Sequence, residues 1–351
     1  MEVLVAGSGG AAGWPEPGCR CASCLRVVGD DFRERSTIVV DGILTLGAGG
    51  PGGAGGPGTP GGEGAGYVVL AIPGGWDVTG RDGKRLVYPA GPGAVLLPPD
   101  GAAPYDIAFV DVLGDPFQLG LLRARGLVTE NTTTIAAFAD HRISSSAELR
   151  RRCAIWQMGL VSDGECVTEL RYDKKRASRV LVLGGARSGK SERAELRVAT
   201  EPVVTYVATG PNGDEDPDWA ARVAAHRARR PIWWRTVETT DLAGVLADAE
   251  GAVLIDGMGT WLAAVLDESA RVGGTWDTGK LGARIDDLAA AWRRTKAYVV
   301  AVSDETGLGV IPETAAGRVF RDWLGRVNQV LASESEEAEL IVAGRVVTLG
   351  G

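Results

Sequence analysis

Residues 184–191 read Gly-Gly-Ala-Arg-Ser-Gly-Lys-Ser. Their types and spacing suit one task, the holding of phosphate. Gly184, Gly185 and Gly189 let backbone N–H groups close around oxygens, with Ala186, Arg187 and Ser188 completing the loop. Lys190 brings a point charge to a β- or γ-phosphate, and the Ser191 hydroxyl is a ligand for Mg²⁺. The apolar run Val180–Leu183 precedes the loop and Glu192-Arg193-Ala194-Glu195 follows it, so a strand delivers it and a helix N-terminus faces the anion. A chance glycine-rich turn is the alternative, but here every fixed position of G-x-x-x-x-G-K-[ST] is filled. The chain is expected to bind a nucleoside triphosphate.

Two further residues could act beside the loop. Asp256 ends the apolar stretch Ala252–Ile255, where an acid commonly completes a Mg²⁺ shell; the alternative is an N-cap for a helix beginning near Thr260. His226 stands among Arg222, Arg227, Arg229 and Arg230, a good setting for phosphates. An imidazole can attack phosphorus, but a lone surface His is usually an ordinary polar residue, and composition leaves both readings open. His is the scarcest chemistry here. The chain has only His141 and His226, so a mechanism needing a His cluster is excluded. Cys19, Cys21 and Cys24 form C-x-C-x-x-C, a bunching typical of metal ligands, while Cys153 and Cys166 read as core residues.

At 351 residues the chain is long enough for two domains. Its net charge of −8 and the lack of a basic run argue against nucleic-acid binding. No apolar stretch approaches the roughly 20 residues of a membrane span. The N-terminus lacks a signal peptide's basic and apolar regions, and five Cys do not suggest a disulfide scaffold. The expected compartment is the cytoplasm.

The elements that must position these groups fall into two halves. Residues 1–172 read as a β-rich α+β domain, with strands at 2–6, 37–40, 67–72, 85–88 and 106–110 and a flexible Gly/Pro loop over 47–66. A charged linker covers 173–178. Residues 179–351 alternate strands at 179–183, 203–208, 252–255, 297–302 and 338–342 with helices near 190–200, 219–229, 260–266, 282–294 and 313–332. That alternation predicts a mostly parallel α/β sheet with helices on both faces. Ligand would then sit beyond the carboxyl ends of the strands, where the loop, Asp256 and Ser303-Asp304-Glu305 all fall.

The C-terminal half resembles a known family in the order of its motifs. These are Gly184–Ser191, Tyr206-Val207-Ala208-Thr209, Arg222-x-x-x-His226, Pro231–Glu238, Asp256, Ser303–Glu313 and Phe320–Gln329. The succession is similar to the bifunctional adenosylcobinamide kinase/adenosylcobinamide-phosphate guanylyltransferases of cobalamin biosynthesis, a P-loop, RecA-like fold. The resemblance implies two reactions. ATP or GTP phosphorylates the aminopropanol hydroxyl of adenosylcobinamide; then the residue matching His226 takes GMP from GTP and passes it to adenosylcobinamide phosphate. It implies catalytic His226 and Lys190, and Mg²⁺ on Ser191 and Asp256. It also implies nucleotide contacts from 184–191, Ala208, Thr209, Gly210, Arg227, Ala228, Arg229, Arg230, Glu238 and Asp256, and a homo-oligomer. The family often has Asn where this chain has Asp304. A P-loop regulator without transfer activity is the competing reading; His226 beside Lys190 and Asp256 speaks against it.

Residues 1–24, 76–83 and 104–111 resemble phosphodiesterase-like metallo-β-lactamase-fold hydrolases, more patchily. That fold's His-x-His-x-Asp-His motif is missing, and Phe138 stands where a catalytic His would in Ala136–His141. The expectation is a catalytically dead, degenerate domain. In the related phosphodiesterases a His matching His141 completes a structural zinc site with three Cys, which makes Cys19, Cys21, Cys24 and His141 a candidate zinc set.

Overall fold

The computed structural model describes residues 1–47, 50–53, 66–111, 113–167, 176–210, 217–271 and 275–350. Most of the Gly/Pro loop expected over 47–66, and residues 173–175 of the expected linker, lie outside them. The chain divides into two compact units, Met1–Arg176 and Ala177–Gly351.

The N-terminal unit runs β1 (Val3–Gly7), β2 (Thr37–Val40), β3 (Leu44–Gly47), β4 (Gly50–Gly53), β5 (Val68–Ile72), β6 (Gly75–Thr79), β7 (Arg85–Pro89), β8 (Ile107–Val110), α1 (Phe117–Ala124), β9 (Thr133–Ala136), α2 (Ser146–Trp156) and β10 (Glu165–Cys166). One sheet has the order β10-β1-β2-β3-β4 and the other β5-β6-β7-β8-β9. A single apolar cluster draws on both: Val3, Val5, Ile38 and Val40 from the first, Val78, Leu86, Tyr88 and Phe109 from the second. The two sheets therefore bury a common face, as alternating strands must. Two expectations need correction. Gly50–Gly53 is a strand rather than flexible loop, pairing antiparallel with β3; ladder bonds use main chain only, so an open edge accepts even a glycine run. Cys166 is exposed rather than core, because it lies on the short edge strand β10.

The C-terminal unit runs β11 (Arg179–Gly184), α3 (Lys190–Val198), β12 (Val204–Ala208), α4 (Pro217–Arg229), β13 (Arg235–Glu238), α5 (Leu242–Ala247), β14 (Ala252–Asp256), α6 (Met258–Glu268), β15 (Ala270–Arg271), β16 (Thr275–Trp276), α7 (Thr278–Arg294), β17 (Tyr298–Asp304), α8 (Ala315–Ser333), β18 (Glu337–Val342) and β19 (Arg345–Leu349). The sheet order is β13-β12-β14-β17-β11-β18-β19. It is parallel except for the β18–β19 hairpin. Alternate residues of the central strands, Leu181, Leu183, Val253, Ile255, Val299 and Ala301, form one core with α5 to α8. The other face carries α3, to which α4 is tied by Arg229 on Glu195. From β11 the chain crosses to β12, leaving β17 and β14 to fill the gap later. The loops after these strands thus converge at one end of the sheet.

Candidate functional site

The phosphate-type loop turns sharply between β11 and α3. Gly189 is the N-cap of α3 at φ 95°, a conformation that only glycine adopts without strain. A Cβ on Gly184 would lie 2.4 Å from Ser188 Oγ, so glycine there lets the loop fold back on its strand. Lys190 Nζ is 2.9 Å from Asp304 Oδ1 and donates to the Gly185 carbonyl at 3.2 Å. Asp304 reaches it because Gly184 and Asp304 are register partners across β11 and β17.

Asp256 ends β14 and is not a helix cap; Gly257 fills that place on α6 at φ 115°. A Cβ on Gly257 would lie 2.4 Å from Thr260 Oγ1. The carboxylate of Asp256 is a junction. Oδ1 accepts from Ser191 Oγ at 3.3 Å. Oδ2 faces His226 Nδ1 at 3.0 Å and accepts a short bond from the Tyr206 hydroxyl. Burial alone would raise the Asp256 carboxyl; hydrogen bonds from His226, Tyr206 and Ser191 outweigh it and hold the acid below its ordinary range. Burial first, and then the Asp256 charge, push the Tyr206 phenol far up, so it stays a donor.

His226 lies on α4, and Arg227, Arg229 and Arg230 beside it are each engaged. Arg227 pairs with Glu238 at 2.7 Å. Arg229 grips Glu195 through two bonds of 3.2 and 3.1 Å, and burial lifts that Glu195 carboxyl above its ordinary range. The Arg230 guanidinium lies 3.5 Å from the Tyr206 ring centroid and donates to the His226 carbonyl at 2.9 Å.

These groups line one cavity of about 950 Å³, large enough for a nucleotide. It takes in 186–191, Ala208, Gly210, His226, Arg227, Arg229, Arg230, Glu238, Asp256 and Asp304. Gly184, Gly185, Thr209 and Ala228, expected as nucleotide contacts, are not among its lining residues. Thr209 is buried, its hydroxyl 2.6 Å from both the Gly257 carbonyl and Thr260 Oγ1. Glu192, Gly257, Thr260 and Gly344 line it without having been expected there, and so does Tyr206, which figured only as part of a motif. Gly344 gets there from the β18–β19 turn, bonded to Ser188 O at 2.9 Å. Chemically, the Ser191 hydroxyl beside Asp256 Oδ1 is an oxygen pair suited to Mg²⁺. An imidazole whose Nδ1–H is held by a carboxylate presents its Nε2 lone pair to an electrophile.

The N-terminal unit holds a second cluster. Ligand atoms of Cys19, Cys21, Cys24 and His141 all lie within 4.8 Å of one another. His141 Nδ1 is 2.9 Å from Glu16 Oε2. The Cys24 amide points at Cys21 Sγ at 3.4 Å, and this bond leads in lowering the exposed Cys21 thiol. Burial pushes Cys24 up to about 11. Three sulfurs and an imidazole at this spacing fit tetrahedral zinc, whose ligands stand roughly 3.8 Å apart. Elsewhere in this unit, Asp111 at the end of β8 accepts both Arg142 Nη atoms, at 2.9 and 3.2 Å. Arg142 Nε also reaches Asp140 at 2.8 Å. Phe138 is fully buried against Tyr88, with ring centroids 6.0 Å apart.

A phosphate-holding loop between strand and helix, with an acid at the end of a neighbouring strand, makes the C-terminal unit a P-loop nucleotide-binding fold. A family model described as cobinamide kinase / cobinamide phosphate guanyltransferase matches residues 180–349. The bifunctional adenosylcobalamin biosynthesis protein CobU of Salmonella typhimurium is 39% identical over 183 residues, 47% of this chain and 96% of that one. CobU of Escherichia coli is 38% identical over 178 residues, and CobP of Pseudomonas aeruginosa 38% over 181, covering 96% and 98% of those proteins. The chain belongs to the cobinamide kinase / cobinamide phosphate guanyltransferase family. Among solved structures, the bacteriophage phi6 P4 protein in complex with ADP covers 51% of the chain at 16% identity and a TM-score of 0.27, too slight a likeness to bear on the argument. Among the described residues no helix is long and apolar enough to cross a membrane.

Proposed function

We propose that the C-terminal unit carries out two transfers in one cleft, in the assembly of the cobalamin nucleotide loop. In the first, the aminopropanol oxygen of adenosylcobinamide bonds to the γ-phosphorus of ATP or GTP. The bond to the β–γ bridging oxygen breaks, the nucleoside diphosphate leaves and the hydroxyl proton is released. Lys190 swings from Asp304 to the β- and γ-oxygens and stabilises their charge. In the second, His226 Nε2 bonds to the α-phosphorus of GTP and pyrophosphate leaves. Adenosylcobinamide phosphate then displaces Nε2 through a phosphate oxygen, giving adenosylcobinamide-GDP. Mg²⁺ on Ser191 and Asp256 would neutralise charge on the phosphates. Asp256 Oδ2 keeps the proton on Nδ1, so Nε2 is nucleophilic and the phosphoramidate forms without reorientation.

The carrying observation is the single Asp256 carboxylate that touches both the loop serine and the imidazole. A nucleotide switch has no need of that imidazole. Incubation with α-³²P-GTP and Mg²⁺ should place an acid-labile, base-stable label on the protein, absent in His226→Ala. Lack of label in the wild type under all conditions removes the guanylyltransferase.

For residues 1–172 we propose a degenerate metallo-β-lactamase-like domain without hydrolytic chemistry. Its one His, His141, belongs to the Cys cluster. Phe138 is sealed in the core, and Asp111 and Asp140 are both paired with Arg142. Zinc on Cys19, Cys21, Cys24 and His141 would serve structure.

A further inference from the structure

We propose that Tyr206 is a positioning residue for guanylyl transfer, acting on His226 at two points. The proposal rests on the reading of His226 as the nucleophile.

The first point is the carboxylate. Asp256 can rotate about its Cβ–Cγ bond, and one donor on Oδ2 would not fix its plane. The Tyr206 hydroxyl and His226 Nδ1 both engage Oδ2, while Ser191 engages Oδ1. Three donors spread over the two oxygens fix the plane and therefore the direction of the imidazole. The second point is the helix. Arg230 stands one turn after His226 on the α4 side of the cleft. Its guanidinium rests on the Tyr206 ring at 3.5 Å, and its Nε holds the His226 carbonyl at 2.9 Å. Arg230 Nη1 also donates to Thr236 Oγ1 at 3.3 Å, tying the same end of α4 towards β13. The ring thus seats the backbone that carries the imidazole, and the hydroxyl seats the carboxylate that orients it. Lys190 is held instead by Asp304 and Gly185, so the charge aimed at the γ-phosphorus is set apart from Tyr206, which reaches phosphoryl transfer only through Asp256 and reaches guanylyl transfer through both Asp256 and the His226 backbone.

The test uses the full chain and separates the two transfers. Single-turnover label uptake from saturating α-³²P-GTP is compared with phosphorylation of adenosylcobinamide from γ-³²P-ATP, in wild type, Tyr206→Phe, Tyr206→Leu and His226→Ala. Tyr206→Phe keeps the ring under Arg230 and loses only the hydroxyl; it should slow label uptake about tenfold. Tyr206→Leu loses both contacts and should slow it about 100-fold. In each variant label uptake should fall further than phosphorylation, with the loss in the rate at saturation rather than in the GTP concentration giving half-maximal rate. Parallel loss of both transfers, or label uptake in Tyr206→Phe within twofold of wild type, overturns the proposal. Should Tyr206→Leu prove unfolded by circular dichroism, Tyr206→Phe alone decides. Absence of label in the wild type, or label retained in His226→Ala, defeats the nucleophile reading instead and is seen without any Tyr206 variant.

Discussion

In the proposed scheme Lys190 is the residue whose partner changes during turnover. Its ammonium pairs with Asp304, whose side chain is 42% exposed, so the pair is weak, about 0.2–1 kcal/mol. Nucleotide phosphates must replace it while approaching the Asp304 charge. Asp304→Asn should therefore tighten ATP binding, by up to about fivefold. Calorimetric titration with ATP and Mg²⁺ checks this, and equal or weaker binding would count against Lys190 as the phosphate ligand. The groups themselves were legible: glycines, lysine and serine at fixed spacing, an acid after an apolar strand, a histidine among arginines. Their pairings were not. Tyr206 meets Asp256 because parallel register sets Tyr206 beside Leu254 and Ala208 beside Asp256, so that the two side chains share a face. A single chain carries no mark of which strands will be neighbours.

At the scale of elements, α3 must hold the loop's geometry, and it is bolted to β18 by charge. Arg193 and Arg197, one turn apart, both grip Glu339, at distances of 2.7–3.1 Å. Arg197 also bonds Glu337. Burial would raise the Glu339 carboxyl, but the two guanidinium groups outweigh it and bring the acid from 4.5 down to about 2. A depressed acid stabilises the fold fully above its unfolded value, and the contribution fades as pH falls from about 4.5 towards 2. Glu339→Gln should cost about 3 kcal/mol at pH 7, because it leaves buried guanidinium groups short of a counter-charge. That is roughly 10 °C in melting temperature, a gap that should narrow below about pH 4. Thermal unfolding of both proteins from pH 7 to pH 3 tests it; a constant gap would mean that Glu339 contributes by shape alone. The strand at 338–342 was readable from its apolar residues, while its buried glutamate looked like an ordinary surface acid. Similarly, β12 and β14 were plain from valine and leucine runs. The short β13, β19 and α5 offered too few residues for a period, and α2 was missed although Ser145 caps it, accepting from the Glu148 amide.

At the scale of the whole molecule, the two units make separable predictions. Protein prepared without chelator should contain about one zinc per chain. Removing it, or replacing Cys21 with Ser, should lower the melting temperature of the N-terminal unit by on the order of 5 °C and leave GTP labelling of His226 intact. Elemental analysis showing no zinc, or loss of labelling on chelation in excess Mg²⁺, would contradict this. The C-terminal architecture was legible because strands and helices alternate with regular apolar periods. The N-terminal unit was legible only in part, since a glycine-rich strand such as β4 has no side-chain pattern to read. The shared carboxylate of Asp256 has a consequence for traffic. In the proposed scheme one cleft serves both transfers, and a nucleotide that has given up its γ-phosphate has no pyrophosphate left to expel. It must depart before a fresh triphosphate can load the imidazole. The phosphorylated corrinoid must therefore wait through an exchange of nucleotide, held or released, and the rate of that exchange sets a ceiling on output that no improvement in either bond-making step can lift.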